Sequence, residues 1–189
     1  MYPEKNFTTK KLVLTALMAA LTVVFSYLRV TLPLEIAGTT SFHLGNIMCA
    51  LSGLFLGPWM GGLAAGLGSA IFDMLNPLYI SEAWITFLFK GAYGLTTGAV
   101  SVLAGKKKGY LLSCLATMAG ALVYAALYLA KSYYYNGLLL SGLTADAALL
   151  TLAGKLPATI FNAAIAVICA PVLAVSLRAA LRKNRLSLD

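Results

Sequence analysis

Lysine is out of place inside an apolar run, and Lys90 lies about seven residues into one. At the bilayer centre a lysine costs about 2.5–3.5 kcal/mol on insertion scales, so its ammonium must face protein, water or a ligand. Thr86, Lys90, Tyr93 and Thr97 follow i, i+4, i+7, i+11 spacing and share one helix face. That face suits an anchor for an anionic or carbonyl-bearing solute. The structural alternative is an ion pair of Lys90 with Asp73 or Glu82. A second run repeats the pattern with Tyr124, Tyr128 and Lys131, whose tyrosines offer an apolar ring and a hydroxyl. An interfacial aromatic belt is the alternative, and it fits Tyr133, Tyr134 and Tyr135 better. Lys155, Thr159 and Asn162 share a third face, where Asn162 can serve a pocket or bond a neighbouring helix. His43 and Asn46 lie one turn apart, Asp73 closes a run with Asn76 just beyond, and Trp84 stands near Lys90.

No catalytic set emerges. The single histidine, His43, rules out a two-histidine metal site within this chain. Gly105-Lys106 and Gly154-Lys155 both lack the leading glycine and the following hydroxyl of a nucleotide-binding P-loop. If ATP drives this protein, another subunit hydrolyses it. Cys49, Cys114 and Cys169 are scattered through apolar stretches and read as small buried hydrophobes. No cofactor is expected.

The elements that must position these groups follow from composition. Of 189 residues, 60% are hydrophobic and 11% are charged, and mean hydropathy is +0.86. Soluble domains carry roughly 25% charged residues, so this surface suits lipid rather than water. Inside hydrocarbon the backbone must bond to itself, and long continuous apolar runs select helices over a barrel. Six spans are expected, at about residues 12–30, 43–56, 59–75, 83–104, 110–130 and 157–181. Pro157 then falls in a first turn, where a missing N–H is harmless. The second and third spans fall short of the ~20 residues of a full crossing. The first run is too long for a signal-peptide core and reads as a retained helix. The whole chain, 1–189, reads as one domain.

Charge gives the orientation. Lys5, Lys10 and Lys11 precede the first span, Lys106, Lys107 and Lys108 separate the fourth and fifth, and Arg178, Arg182, Lys183 and Arg185 close the sixth. With six spans all three clusters share one side, which the positive-inside rule places in the cytoplasm with both termini. Glu35, Asp73, Glu82 and Asp146 fall at or near the other side. The net charge of +8 is therefore a topology signal and not a nucleic-acid surface. Polar groups from five spans converge in the outer third, which points to a solute pocket. Small residues supply a further pattern: Ala16 and Ala20 form a small-x-x-x-small pair, and Gly62, Gly66 and Ala70 another. Such faces serve partner docking or packing within the subunit.

Several of these residues resemble a known family. His43-Leu44-Gly45-Asn46, Leu56-Gly57-Pro58, Ala65 to Ala70 with Asp73, and Thr86-Phe87-x-x-Lys90-Gly91 are similar to the integral-membrane S components of energy-coupling factor (ECF) transporters, in the riboflavin-type branch. The likeness is strongest over residues 42–98. It implies an all-α bundle of six transmembrane helices with cytoplasmic termini, in the bacterial plasma membrane. It also implies capture of a water-soluble vitamin or precursor near the outer face, without catalysis, and docking onto a transmembrane T subunit carrying two ATPases. By the resemblance Ala16 and Ala20 map onto the docking motif, and His43, Asn46, Asp73, Thr86 and Lys90 onto the pocket. The tyrosines, Lys131, Lys155 and Asn162 come from helix faces alone. Asn46 stands where this branch carries an aspartate, which removes one formal charge. The chain begins Met1-Tyr2, without the second-position histidine of the cobalt and nickel members. Tyrosines, a nearby tryptophan (Trp84), lysines and amides suit a flat heteroaromatic ring, such as a riboflavin-, pyridoxine- or thiamine-pyrimidine-like solute. The other readings of the residues are a stand-alone secondary carrier, and a membrane enzyme or scaffold.

Overall fold

A computed structural model describes residues 9–33, 39–103 and 109–183. Lys5, Glu35, Lys106, Lys107, Lys108 and Arg185 lie outside them. The elements are α1 (Thr9–Tyr27), β1 (Arg29–Pro33), β2 (Thr39–His43), α2 (Gly45–Leu56), α3 (Pro58–Met74), α4 (Ala83–Leu103), α5 (Tyr110–Lys131) and α6 (Ala145–Lys183). A 3₁₀ turn, Ile80–Glu82, precedes α4, and a π-helical segment, Ser132–Leu140, extends α5. The fold is all-α apart from a small ribbon, and its six helices match the six expected spans.

α2 is the centre of the bundle. Its 12 residues rise about 18 Å at 1.5 Å each, too little to cross ~30 Å of hydrocarbon. Gly45 to Leu54 are all buried, because α2 packs against α1, α3, α4, α5 and α6. A helix that is apolar all round belongs inside a bundle. It ends at Gly57, whose φ of 80° turns the chain directly into α3, with Pro58 in the first turn. Around α2, α1 packs on α3, α3 on α4, α4 on α5 and α5 on α6.

The most extensive of these seams joins α3 to α4, and glycine lets it close. A Cβ placed on Gly94 would come within 2.6 Å of the Gly61 carbonyl oxygen, and one on Gly62 within 2.9 Å of that of Gly91. The Gly62 and Gly66 stripe therefore serves packing within the subunit, the plainer of its two expected roles. The opposite face of α3 presents Leu63, Leu67, Ile71 and Met74, and α4 presents Leu88, Leu95 and Val102. These exposed apolar side chains form a surface that lipid can cover. Three helical stretches, Thr9–Tyr27, Tyr110–Leu140 and Ala145–Ala180, are long and apolar enough to cross a membrane.

Two expected boundaries are corrected. The first span stops at Tyr27 and not at residue 30, because the chain then pairs Arg29 with His43 through Pro33 with Thr39 in an antiparallel ribbon. The sixth begins at Ala145 and not at residue 157, so Pro157 and Pro171 both lie inside one 39-residue helix. Membrane helices tolerate interior proline because neighbouring groups take up the freed carbonyls.

Chain order sorts the two ends of the bundle. The starts of α1 and α5 and the ends of α4 and α6 share one end, with Lys10, Lys11, Arg178 and Lys183. There Arg178 donates to the Leu54 carbonyl and ties α6 to the end of α2. The ribbon, the start of α2, the end of α3, the start of α4, the end of α5 and the first half of α6 meet at the other end.

Candidate functional site

At that second end lies a cavity of about 290 Å³, near the lower bound for small-molecule pockets. Every element reaching this end contributes. The end of α1 and the ribbon supply Ser26, Arg29, Thr40, Ser41 and His43, and α2 supplies Asn46. α3 supplies Ser69, Phe72 and Asp73, the following turn Tyr79 and Glu82, and α4 Thr86, Phe89 and Lys90. Tyr124, Tyr128 and Lys131 come from α5, Ser132 and Asn136 from the π segment, and Lys155, Thr159 and Asn162 from α6.

Lys90 is only 5% exposed. Its ammonium donates to Asn46 Oδ1 and lies 3.9 Å from the centre of the Tyr124 ring, within cation–π range. Glu82 pairs instead with Lys131 and accepts a 3.1 Å bond from Asn136 Nδ2. Asp73 is buried within hydrogen-bond reach of the Thr86 hydroxyl. The α4 face divides along its length. Thr86 and Lys90 reach the cavity, whereas Tyr93 and Thr97 are wholly buried where α4 packs on α5.

Three tyrosine rings run down that seam nearly parallel. Tyr93 and Tyr124 have centroids 5.8 Å apart at 16°, and Tyr124 and Tyr128 6.0 Å apart at 23°. Tyr124 and Tyr128 therefore belong to the interior array and not to an interfacial belt, whereas Tyr134 is exposed. Lys155 donates to the Ser132 hydroxyl at 3.3 Å and sits 5.9 Å from the Tyr128 ring. The π segment aims Ser132 and Asn136 at the cavity: its wider turn bonds the Ser141 N–H to the Asn136 carbonyl, five residues back, at 3.1 Å. Such segments recur at functional sites.

Asn162 holds the ribbon down. Its Oδ1 accepts the His43 N–H at 2.9 Å, and its Nδ2 donates to the Ser41 carbonyl at 2.8 Å. One α6 side chain thus satisfies two backbone groups of β2, and the bonding neighbour is a strand where a helix was expected. His43 Nδ1 is buried with no hydrogen-bond partner among the described residues.

Of the residues singled out in the sequence, eleven line this one cavity: His43, Asn46, Asp73, Thr86, Lys90, Tyr124, Tyr128, Lys131, Lys155, Thr159 and Asn162. Besides Tyr93 and Thr97, Asn76 and Trp84 do not. Asn76 Oδ1 accepts the Leu78 N–H at 3.1 Å and so stabilises the turn after α3. Trp84 is 62% exposed and faces outward in a shallow apolar groove with Met74 and Leu88. Ala16 and Ala20 lie exposed on α1, opposite the buried Thr15, Met18, Ala19 and Thr22.

Sequence reasoning missed Arg29. Its guanidinium lies over the rings of Phe72 at 4.3 Å and Tyr79 at 5.1 Å, and its Nε donates to the Ser26 carbonyl at 3.0 Å. A signal existed, since an arginine at the end opposite the lysine clusters breaks the positive-inside pattern. Ser132 and Asn136 gave none, because nothing in the local sequence announced the π turn.

A family model described as "ECF-type riboflavin transporter, S component" matches residues 6–179. The chain belongs to the ECF S-component family. S components are substrate-binding subunits of membrane transporters and not enzymes. An uncharacterised protein from Pyrococcus woesei is 32% identical to this S component over 118 residues, which is 62% of this chain and 74% of that one. A UPF0397 protein from Streptococcus gordonii is 33% identical over 95 residues, 50% of this chain and 48% of the relative. The S component thus matches about half the length of that second protein.

Proposed function

We propose that this S component captures a water-soluble vitamin or vitamin precursor and hands it on for ATP-driven import. The solute is flat and heteroaromatic, of riboflavin-, pyridoxine- or thiamine-pyrimidine-like form; riboflavin itself is the family's label. The observation that carries this reading is convergence. Buried cations, amides, hydroxyls and two tyrosine rings from the ribbon and all six helices meet around one cavity, though each is costly in an apolar bundle. Separate packing roles would not gather them at one depth.

In this reading the chain crosses the bacterial plasma membrane several times, with both termini in the cytoplasm and the cavity at the outer face. The cavity lies at the end of the bundle away from Lys10, Lys11, Arg178 and Lys183, which supports that orientation. The pocket residues are His43, Asn46, Asp73, Thr86, Lys90, Tyr124, Tyr128, Lys131, Lys155 and Asn162, together with Arg29 and Ser132, which line the same cavity. Ala16 and Ala20 form a docking face for a transmembrane T subunit that carries two ATPases, since the chain has no P-loop of its own.

The test has two steps. Native mass spectrometry of the purified protein identifies a co-purified solute. Uptake of that labelled solute is then measured in cells carrying this chain alone and in cells that also express the T subunit and ATPases. Uptake only with the full set is the expected result. Equal uptake by this chain alone makes it a stand-alone carrier, and a protein that retains and binds no small molecule overturns the reading.

A further inference from the structure

We propose that the captured solute is an acid: a flat ring bearing a carboxylate or phosphate, which the cavity recognises through Lys155 together with Lys90. This rests on the capture reading and narrows it.

The cavity lining is unbalanced in charge. Four cations, Arg29, Lys90, Lys131 and Lys155, face two carboxylates, Asp73 and Glu82. Glu82 is committed to Lys131 by an ion pair. Asp73 is left for the side that holds both Arg29 and Lys90, whose charges both act on it. One positive charge there has no match, and Lys155 is the second.

Lys155 is the clearer case. It is 4% exposed, and its hydrogen-bond acceptor is a neutral hydroxyl, Ser132 Oγ. The remaining described carboxylate, Asp146, is exposed near the start of α6, nine residues and thus about 13 Å along the helix. The charge of Glu82 reaches Lys155, but its ion pair is with Lys131, and among the described residues no carboxylate pairs directly with Lys155. Lys90 is likewise buried against a neutral amide oxygen and a tyrosine face. A buried ammonium held by neutral partners is strongly unfavourable unless an anion joins it. Structural lysines would be paired, as Lys131 is. An ionised acid entering the cavity gives both ammonium groups an oppositely charged acceptor, so each contact becomes an ion pair as well as a hydrogen bond. A neutral analogue can accept the hydrogen bond but brings no counter-charge.

The experiment uses matched pairs that differ in the acidic group: nicotinate and nicotinamide for carboxylate, and pyridoxine 5′-phosphate with pyridoxine and riboflavin 5′-phosphate with riboflavin for phosphate. Each is titrated into the detergent-purified full chain by thermal shift and calorimetry. At least one acid should bind about tenfold or more tightly than its neutral partner, and the arm in which it does so tells carboxylate from phosphate. Lys155→Gln should lower that ratio several-fold, to what Lys90 alone supports, while Lys155→Arg keeps most of it. If Lys155→Gln fails to fold, the wild-type ratios and Lys155→Arg still decide. A neutral member that binds as well as or better than its acid overturns the acid proposal and leaves the capture reading standing. A neutral co-purified solute with no binding by any member also overturns the acid proposal alone, whereas no binding by any member and no small molecule of any kind found by native mass spectrometry overturns both.

Discussion

Lys90→Ala is expected to weaken solute binding at least tenfold while the protein stays folded. The ammonium is a donor whose protein partners are both neutral, Asn46 Oδ1 and the Tyr124 face, so it can turn to a solute without breaking an ion pair. Hydrogen bonds from a charged donor contribute about 1.5–3 kcal/mol, which is roughly ten- to a hundredfold in affinity. Folding should survive because removing an unpaired buried charge relieves a desolvation cost. The helix gains as well, since alanine is the best helix former. Calorimetric titration of the co-purified solute checks the affinity, and size-exclusion with thermal melting checks the fold. Unchanged affinity in a folded mutant would remove Lys90 from the site.

The double mutant Ala16→Leu/Ala20→Leu should bind solute like wild type and yet import it at a tenth of the rate or less. Both alanines are exposed on α1 beside the bulkier Leu12, Val13, Leu17 and Val24, so they leave a notch in an apolar ridge. Small residues four apart let another membrane helix approach closely, and two leucines would fill that space. The cavity should not notice. The α1 residue that lines it is Ser26, six positions beyond Ala20 and about 9 Å along the helix. The buried side of α1, which packs on α3 and α2, is untouched. Uptake in cells with the T subunit and ATPases, paired with titration of the purified mutant, reads both halves. Normal uptake would take the docking face away from α1.

Much of the bundle was legible because the physics of lipid is blunt. Apolar runs broken at Gly57-Pro58, Asn76-Pro77 and the Lys106 to Lys108 cluster gave the helix count, and the expense of burying Lys90 or Lys155 marked them. The ribbon was not legible. Val30 and Leu32 continue the apolar character of α1, and strand pairing is a long-range choice that composition does not reveal. The start of α6 left a trace that was passed over: Thr144 Oγ1 accepts the Ala147 N–H at 3.4 Å, a helix cap with Asp146 in the first turn. Pro157, of a type favoured in first turns, is the more conspicuous start signal in the sequence. Trp84 was avoidable by face geometry, for it lies two residues before Thr86, about 200° around the helix. Asn76 followed a helix end and was doing a turn's work, as asparagine commonly does.

The most direct test of a solute cavity open to the outside is chemical access to one of its walls. Thr159 lines the cavity and is half-buried. A Thr159→Cys variant, with Cys49, Cys114 and Cys169 replaced, is treated in intact cells with a membrane-impermeant maleimide. The cysteine should label from outside, and saturating solute should protect it. Labelling that requires a permeabilised membrane, or that solute leaves unchanged, would contradict the account.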